Sequence, residues 1–214
     1  MSGKILITTR SFRKLDGPHK QVLADAGYEI VNSPYSRPAT ADEMTELLAD
    51  VDGAILGVDH VTAASLAKAN KLKVISRYGI GVDAVDLEAA TARGIVVTNT
   101  PGANSVAVAE LALGLMLALA RHIPEQDKRT KAGEFSPVPG LELAGQTLGL
   151  LGLGRIGREV AQRAAAFGMR IQFYDPYPPA DDFVARYGLI AATLPDVIAS
   201  SDFISLHLPL TDQT

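Results

Sequence analysis

The chain has 214 residues, of which 47% are hydrophobic, and a formal net charge of −4. This length can hold one large domain or two small ones with a sizeable core. Because the balance is acidic and no basic run occurs, neither nucleic acid nor an anionic membrane is expected as a partner. With no cysteine in the chain, no disulfide framework and no metal site are predicted. The apolar run 106–120 is interrupted by Glu110 and is too short to span a bilayer, so a soluble, cytoplasmic protein is expected.

The first hundred residues alternate short apolar strands with helices. A polar loop around Gly17 follows the first strand, and Thr40 and Glu43 form the capping box of a later helix. Such alternation predicts an open parallel sheet with helices on both faces. Because this part has no phosphate-binding glycine turn, residues 1–100 are predicted to form a separate domain. The five predicted strands are residues 4–8, 28–31, 53–57, 73–76 and 95–98.

The stretch 104–121 is nearly all apolar and rich in Ala, Leu and Gly, which predicts a helix that is buried on every side. It is either a core helix or a helix shared between two subunits, and periodicity does not distinguish the two. Residues 122–146 are charged and contain Pro124, Pro137 and Pro139, so we expect an arm or a surface excursion there.

A glycine-rich turn organises the second half of the chain. An apolar run over 147–151 leads into Gly152-Leu153-Gly154-Arg155-Ile156-Gly157, and a predicted helix and a second apolar run over 171–174 follow. The first glycine permits a tight turn, the second lets the backbone approach a pyrophosphate, and the third lets helix and strand pack closely. The N-terminus of the helix attracts phosphate. This arrangement predicts a dinucleotide-binding βαβ unit.

Asp175 stands 18 residues after Gly157, at the end of the second apolar run. A carboxylate at this place can bind both hydroxyls of a ribose and repels a 2′-phosphate, so the site is predicted to take NAD rather than NADP. A solvated carboxylate at a strand end is the alternative interpretation. Further strands are predicted over residues 189–191 and 202–209.

Five stretches carry a resemblance to a known family. They are Arg77-Tyr78-Gly79-Ile80-Gly81-Val82-Asp83-Ala84-Val85-Asp86 and residues 93–105, 108–110, 149–157 and 203–211. In these stretches the chain resembles the D-isomer-specific 2-hydroxyacid dehydrogenases, and within them the phosphoglycerate dehydrogenase type. The resemblance implies two doubly wound parallel-sheet domains of the α/β class with a cleft between them. A flavodoxin-like substrate domain over residues 1–100 would precede a Rossmann NAD-binding domain over 101–214, and hydride would pass between a 2-hydroxyacid and NAD.

The resemblance also implies roles for matching residues. Arg77, Tyr78, Gly79 and Ile80 would hold the substrate carboxylate through backbone N–H groups and the guanidinium. An ordinary strand-to-helix turn with a solvated arginine is the alternative. His207 is not expected to be catalytic, because the family's acid histidine comes much later in the chain. The cofactor-binding residues that the resemblance implies are Gly152, Gly154, Arg155, Ile156, Gly157, Asp175, His207, Leu208 and Pro209.

The family's catalytic arginine, glutamate and histidine would all fall beyond Thr214. We therefore expect no catalytic residue in this chain and an NAD-binding domain without its C-terminal part, so that a chain of this length binds NAD weakly and does not turn over a hydroxyacid. The family pairs subunits through the helix at 104–121, which favours a homodimer. A non-catalytic NAD(H)-sensing module of the corepressor type is the alternative function. The sequence leaves the hydroxyacid open, 3-phosphoglycerate included.

Overall fold

The computed structural model describes residues 3–179 and 182–209. The chain divides into two compact units, Met1–Ala103 and Asn104–Thr214. Leu210 and Thr211, which end the last of the five stretches that carry the resemblance, lie outside the described residues.

The first unit is built around five parallel strands in the order β2-β1-β3-β4-β5. This is the strand order of a flavodoxin-like doubly wound sheet, so the fold class predicted for this part of the chain is confirmed. The elements of this unit are β1 (Lys4–Ile7), α1 (Arg10–Lys14), α2 (Pro18–Asp25), β2 (Glu29–Asn32), α3 (Ala41–Leu48), β3 (Gly53–Leu56), α4 (Ala63–Ala67), β4 (Val74–Arg77), α5 (Leu87–Ala92) and β5 (Val96–Thr98).

The core of the first unit forms where apolar strand residues meet the apolar sides of the helices. Leu6, Leu56 and Ile75 on the strands pack with Met44 and Leu48 of α3, and all five are fully buried. Helix α3 begins at the predicted capping box. The hydroxyl oxygen of Thr40 accepts a hydrogen bond from the N–H of Glu43, and the carboxylate of Glu43 accepts one from the N–H of Thr40. The short helix α1 occupies part of the segment that the sequence predicts as a loop.

The second unit contains four parallel strands in the order β8-β7-β6-β9. Counted within the unit, this order is 3-2-1-4, as in a Rossmann sheet, so the predicted fold class is confirmed here too. The elements are α6 (Ser105–Ala120), α7 (Ile123–Lys131), β6 (Thr147–Leu151), α8 (Arg155–Ala166), β7 (Arg170–Tyr174), α9 (Phe183–Arg186), β8 (Ile190–Ala191), α10 (Leu194–Ser200) and β9 (Phe203–Leu206).

Within this chain helix α6 is buried on one side only, so the interpretation as a core helix of the chain is wrong, and the interpretation as a helix shared between two subunits stays a prediction. Ala109, Leu113 and Met116 pack in the same core cluster as the buried residues of α8. On the other side, Leu111, Leu115 and Leu119 are 62%, 61% and 71% exposed. Apart from Ser105 and Glu110, α6 consists of apolar residues, so its polar residues do not mark the outer face along its length.

The charged segment after α6 contains a helix, α7, which the sequence does not predict. Pro124 lies in its first turn. N–H groups in the first turn have no acceptor within the helix, so a proline there costs no helical hydrogen bond. Along residues 3–179 and 182–209, no single helix is long and apolar enough to cross a membrane; α6 and α7 reach that length and hydropathy only together, across a bend of 63°.

Gly149 lets helix α10 lie close against the central strand β6. A Cβ atom at this position would lie 2.7 Å from Cγ1 of the buried Val197 and would overlap Ser201 Oγ. We therefore expect Gly149→Ala to lower the free energy of unfolding by about 1–3 kcal/mol, the usual cost of overpacking. Urea denaturation measures this change.

Gly114→Ala is the matched control, because Gly114 lies in the middle of α6 with open space at its Cβ position. That substitution should raise the free energy of unfolding by about 0.5–1 kcal/mol, since alanine is the better helix former. Equal stability of Gly149→Ala and the unsubstituted chain would contradict the close packing of α10.

Candidate functional site

The turn after β6 leaves no room for side chains on its two outer glycines. Gly152 has a φ of 98°, and a Cβ there would lie 2.7 Å from the carbonyl oxygen of His207. A Cβ on Gly157 would overlap the carbonyl oxygen of Gly152. The sequence predicts a tight turn and a close helix–strand approach at these two positions, and the structure has both.

The first turn of α8 presents free backbone donors. Within the described part of the chain, the N–H groups of Arg155, Ile156 and Gly157 donate to no protein acceptor. The Cβ position of Gly154, the residue before the helix, has nothing within 4 Å. Unpaired N–H groups and the helix dipole together attract an anion, and the open space lets it approach. These residues fit the pyrophosphate of a dinucleotide.

Asp175 follows β7 and is fixed beside the glycine turn. Its Oδ2 accepts a hydrogen bond of 2.7 Å from the N–H of Leu153, and its Oδ1 accepts one of 2.8 Å from the N–H of Tyr177. The half-buried carboxylate lines a cavity of about 350 Å³ together with Gly154 and Arg155. Each carboxylate oxygen has further lone pairs, so the group can accept hydrogen bonds from ribose hydroxyls.

His207 lies against the same turn at the end of β9. Its backbone N–H donates to the carbonyl oxygen of Leu151 at 2.7 Å, and its ring Nε2 lies 2.8 Å from Ser205 Oγ. Burial lowers the pKa of His207 below its ordinary value of 6.5, because an apolar environment disfavours the charged form. Burial therefore favours the neutral imidazole. Cδ2 of Leu208 lies 3.1 Å from the Cβ position of Gly152, and Pro209, the next residue, is exposed.

In the first unit, Arg77 lies beneath the loop that follows β4. Its side chain is 5% exposed, with Nε donating to the carbonyl oxygen of Gly81 at 3.1 Å and Nη1 donating to that of Gly57. Burial lowers the pKa of Arg77, whereas the charges of Asp83 and Asp59 raise it. The alternative of a solvated arginine is therefore wrong, and the guanidinium binds backbone carbonyl groups.

The carbonyl groups of the 77–80 loop are tied down, which leaves N–H groups as its free donors. Gly79 O accepts from the N–H and the hydroxyl of Thr100 at 3.0 and 3.1 Å, and Ile80 O accepts from Asn99 Nδ2 at 2.7 Å. In the described residues, the N–H groups of Gly79 and Ile80 have no protein acceptor. The N–H of Tyr78, by contrast, continues the sheet by donating to Leu56 O. Two adjacent N–H groups form a small anion-binding concavity.

Asp59 is a buried carboxylate that the sequence analysis does not single out. It is 3% exposed and accepts hydrogen bonds from the hydroxyl of Thr8 and the N–H groups of Ala39 and Gly57. It therefore ties together the ends of β1 and β3. Its position just after an apolar strand was the available signal, since ligands bind at the carboxyl ends of parallel strands.

Comparisons with known proteins agree with this architecture. A family model described as "D-isomer specific 2-hydroxyacid dehydrogenase, NAD binding domain" matches residues 113–214. The D-3-phosphoglycerate dehydrogenase of Methanocaldococcus jannaschii is 46% identical over 178 residues, which are 82% of this chain and 34% of that protein. The hydroxypyruvate reductase of Thermotoga maritima is 46% identical over 176 residues, which are 81% of this chain and 56% of that protein.

A solved structure shares the fold over nearly the whole chain. The TT0316 protein of Thermus thermophilus superposes with a TM-score of 0.85 and 36% identity, over 99% of this chain and 66% of that one. The chain thus spans about a third of the length of the Methanocaldococcus jannaschii dehydrogenase and a little over half of the length of the Thermotoga maritima reductase.

The lowered pKa of His207 gives the stability of the protein a pH dependence. Below pH 6.5 the unfolded chain binds a proton that the folded chain does not, so acidification from neutral pH should lower the free energy of unfolding. We expect the apparent Tm between about pH 5.5 and 7.5 to depend less on pH in His207→Gln than in the unsubstituted chain. Thermal denaturation without cofactor measures both slopes, and identical slopes would contradict the lowered pKa of the half-buried imidazole.

Proposed function

The chain belongs to the D-isomer-specific 2-hydroxyacid dehydrogenase family, and we propose that it binds NAD and a 2-hydroxyacid for the NAD-dependent oxidoreductase reaction that interconverts a 2-hydroxyacid and the corresponding 2-oxoacid. Because the family's catalytic arginine, glutamate and histidine are not among these 214 residues, the expectation that they do not turn over a hydroxyacid by themselves stays a prediction. NAD is the cofactor, and when bound it takes up or supplies the hydride of that reaction. The observation that carries the proposal is the first turn of α8, whose N–H groups are free of protein acceptors among the described residues and lie beside a strand-end carboxylate.

In this proposal the glycine turn and α8 bind the pyrophosphate. The N–H groups of Arg155, Ile156 and Gly157 are its donors, and the absent side chain of Gly154 gives it room. The turn itself is closed by Gly152, which the carbonyl group of His207 approaches too closely for any other residue.

The remaining cofactor contacts fall to the ends of β7 and β9. Asp175 binds the adenosine ribose, because its two oxygens are already oriented by the N–H groups of Leu153 and Tyr177. Its negative charge disfavours the 2′-phosphate of NADP. His207, Leu208 and Pro209 line the cofactor. The neutral state of His207 adds no positive charge at this place.

The 77–80 loop holds the substrate carboxylate in this proposal. The donors are the N–H groups of Gly79 and Ile80, and the open space at the Cβ position of Gly79 gives the carboxylate access to them. Arg77 acts from beneath, since its bonds to Gly57 O and Gly81 O keep the loop in place. Its buried positive charge also favours an anion above the loop.

A homodimer through α6 is part of the same proposal. Leu111, Leu115 and Leu119 form an exposed apolar row on that helix, and apolar rows of this kind mark protein–protein contacts. The cytoplasmic location, and the exclusion of nucleic acid and membrane as partners, remain predictions from composition.

Substitution at Asp175 tests the cofactor site. We expect Asp175→Asn to weaken NADH binding about 10-fold or more, because a hydrogen bond to a charged acceptor is worth about 1.5–3 kcal/mol. NADPH should lose less affinity, since the charge that repels its 2′-phosphate is also removed. Fluorescence titrations with both nucleotides measure the two effects.

The matched control is Asp182→Asn, which removes one charge from the exposed pair with Arg186. It should leave both affinities unchanged. The substrate half of the proposal is tested by titrating D-lactate into the NADH-bound protein and following the amide NMR shifts of Gly79 and Ile80. Absence of NADH binding, or D-lactate shifts that exclude this loop, would overturn the proposal.

The dimer is tested by placing a charge on the apolar row of α6. Leu115→Glu should convert a dimer to a monomer at micromolar concentration, because an unpaired charge buried in an interface costs several kcal/mol. Sedimentation velocity measures the change. Val22→Glu, on the exposed surface of α2, is the control and should leave the oligomeric state as it is. A chain that is monomeric before substitution would contradict the homodimer.

A further inference from the structure

A cavity of about 460 Å³ lies at the carboxyl ends of β1, β3 and β4. Its walls are residues 8–11, 36–38 and 57–59, and Tyr78. Ligands of doubly wound sheets bind outside the carboxyl ends of the strands. Because Tyr78 also belongs to the 77–80 loop, the cavity adjoins the donors that we assign to the substrate carboxylate. It therefore offers space for the part of the substrate that extends away from that group.

Two of the three charged residues that line this cavity are engaged within the protein. Arg37 makes two hydrogen bonds of 2.8 and 2.7 Å to the carboxylate of Glu43, and this contact lowers the pKa of Glu43 to about 2. The pair is therefore neutral as a whole. Asp59 is 3% exposed and accepts three hydrogen bonds from the surrounding chain. Neither residue has its charge available to a ligand.

Arg10 is the third charged residue, and its guanidinium is available. It is exposed and, within the described residues, makes one hydrogen bond, from Nη1 to the carbonyl oxygen of Ser36 at 3.0 Å, and no ion pair. A guanidinium carries five N–H donors, so most of its donors remain free. The bond to Ser36 holds the group at the wall of the cavity. Ser11 and Ser36 line the same space.

Thr9, another residue that lines the cavity, carries an unusual buried polar group. Thr9 is 8% exposed, and its hydroxyl has no hydrogen-bond partner among the described residues. Buried hydroxyl groups without a partner are uncommon in folded proteins. The cavity thus presents a cation with free donors, whereas its one carboxylate is sequestered and the Thr9 hydroxyl is buried.

We propose that this cavity receives the end of the hydroxyacid remote from its 1-carboxylate, and that Arg10 selects substrates with a second anionic group at that end. A carboxylate or a phosphate matches the planar fork of a guanidinium and can accept two parallel hydrogen bonds from it. Arg10 is then a specificity-determining residue. This inference rests on the proposed function, because it assumes that the 77–80 loop holds the first carboxylate.

The experiment compares ligands with one and with two anionic groups. D-Lactate, D-malate and D-3-phosphoglycerate are titrated separately into the isotope-labelled, NADH-bound chain, and each Kd is taken from amide NMR shifts. We expect D-malate and D-3-phosphoglycerate to bind more tightly than D-lactate. In Arg10→Gln both should lose affinity about 10- to 100-fold, as expected for a charged hydrogen bond. The affinity for D-lactate should stay the same, which also shows that the variant is folded.

Lys14→Gln is the matched control, because it removes one positive charge from the exposed side of the same short helix without touching the cavity. It should leave all three affinities unchanged. If D-lactate binds but the other two ligands bind no better, or if both substitutions act equally, the selective role of Arg10 is wrong and the proposed function stands. If no hydroxyacid binds, the proposed function fails with it.

Discussion

The close backbone approach at the glycine turn is the constraint on which the second unit depends. Because Gly152 meets the carbonyl group of His207 and Gly157 meets that of Gly152, the end of β6, the first turn of α8 and the end of β9 lie within backbone contact. No side chain separates them. The first turn of α8, with its free N–H groups, and the carboxylate after β7 therefore lie beside one cavity. The anion site is a consequence of missing side chains.

The first unit reaches a comparable result with buried charge. Asp59 joins the ends of β1 and β3, and Arg77 joins the end of β4 to its own loop through carbonyl groups. Buried ions are costly unless hydrogen bonds satisfy them, and both of these groups have such bonds. The opposite charge of Asp59 further offsets the effect of burial on Arg77. These bonds hold the 77–80 loop in place while the N–H groups of Gly79 and Ile80 stay free. The first unit therefore presents free donors without the turn-and-helix arrangement that the second unit uses.

Much of this architecture follows from the sequence, because it depends on local patterns. The strands β1 to β7 are short apolar runs bounded by turns, and the phosphate turn is specified by glycines whose spacing reflects steric limits. The failures arise where tertiary contacts decide. Helix α6 has apolar residues on both sides, so its exposed row is invisible to periodicity. Helix α7 begins with Pro124, which is a breaker inside a helix but not in its first turn. The buried guanidinium of Arg77 donates to the carbonyl groups of Gly57 and Gly81, and no local pattern predicts these contacts.

The position of Arg77 also changes the chemistry that can be assigned to the site. From the sequence, the guanidinium of Arg77 is expected to help hold the substrate carboxylate. In the structure that guanidinium is committed to Gly57 O and Gly81 O, so it supports the first carboxylate only through the loop and its field. A second anion requires another cation with free donors. Arg37 is neutralised by Glu43, whereas Arg10 is held at the same cavity by a single carbonyl group. Discrimination between hydroxyacids therefore moves from the loop after β4 to the segment after β1.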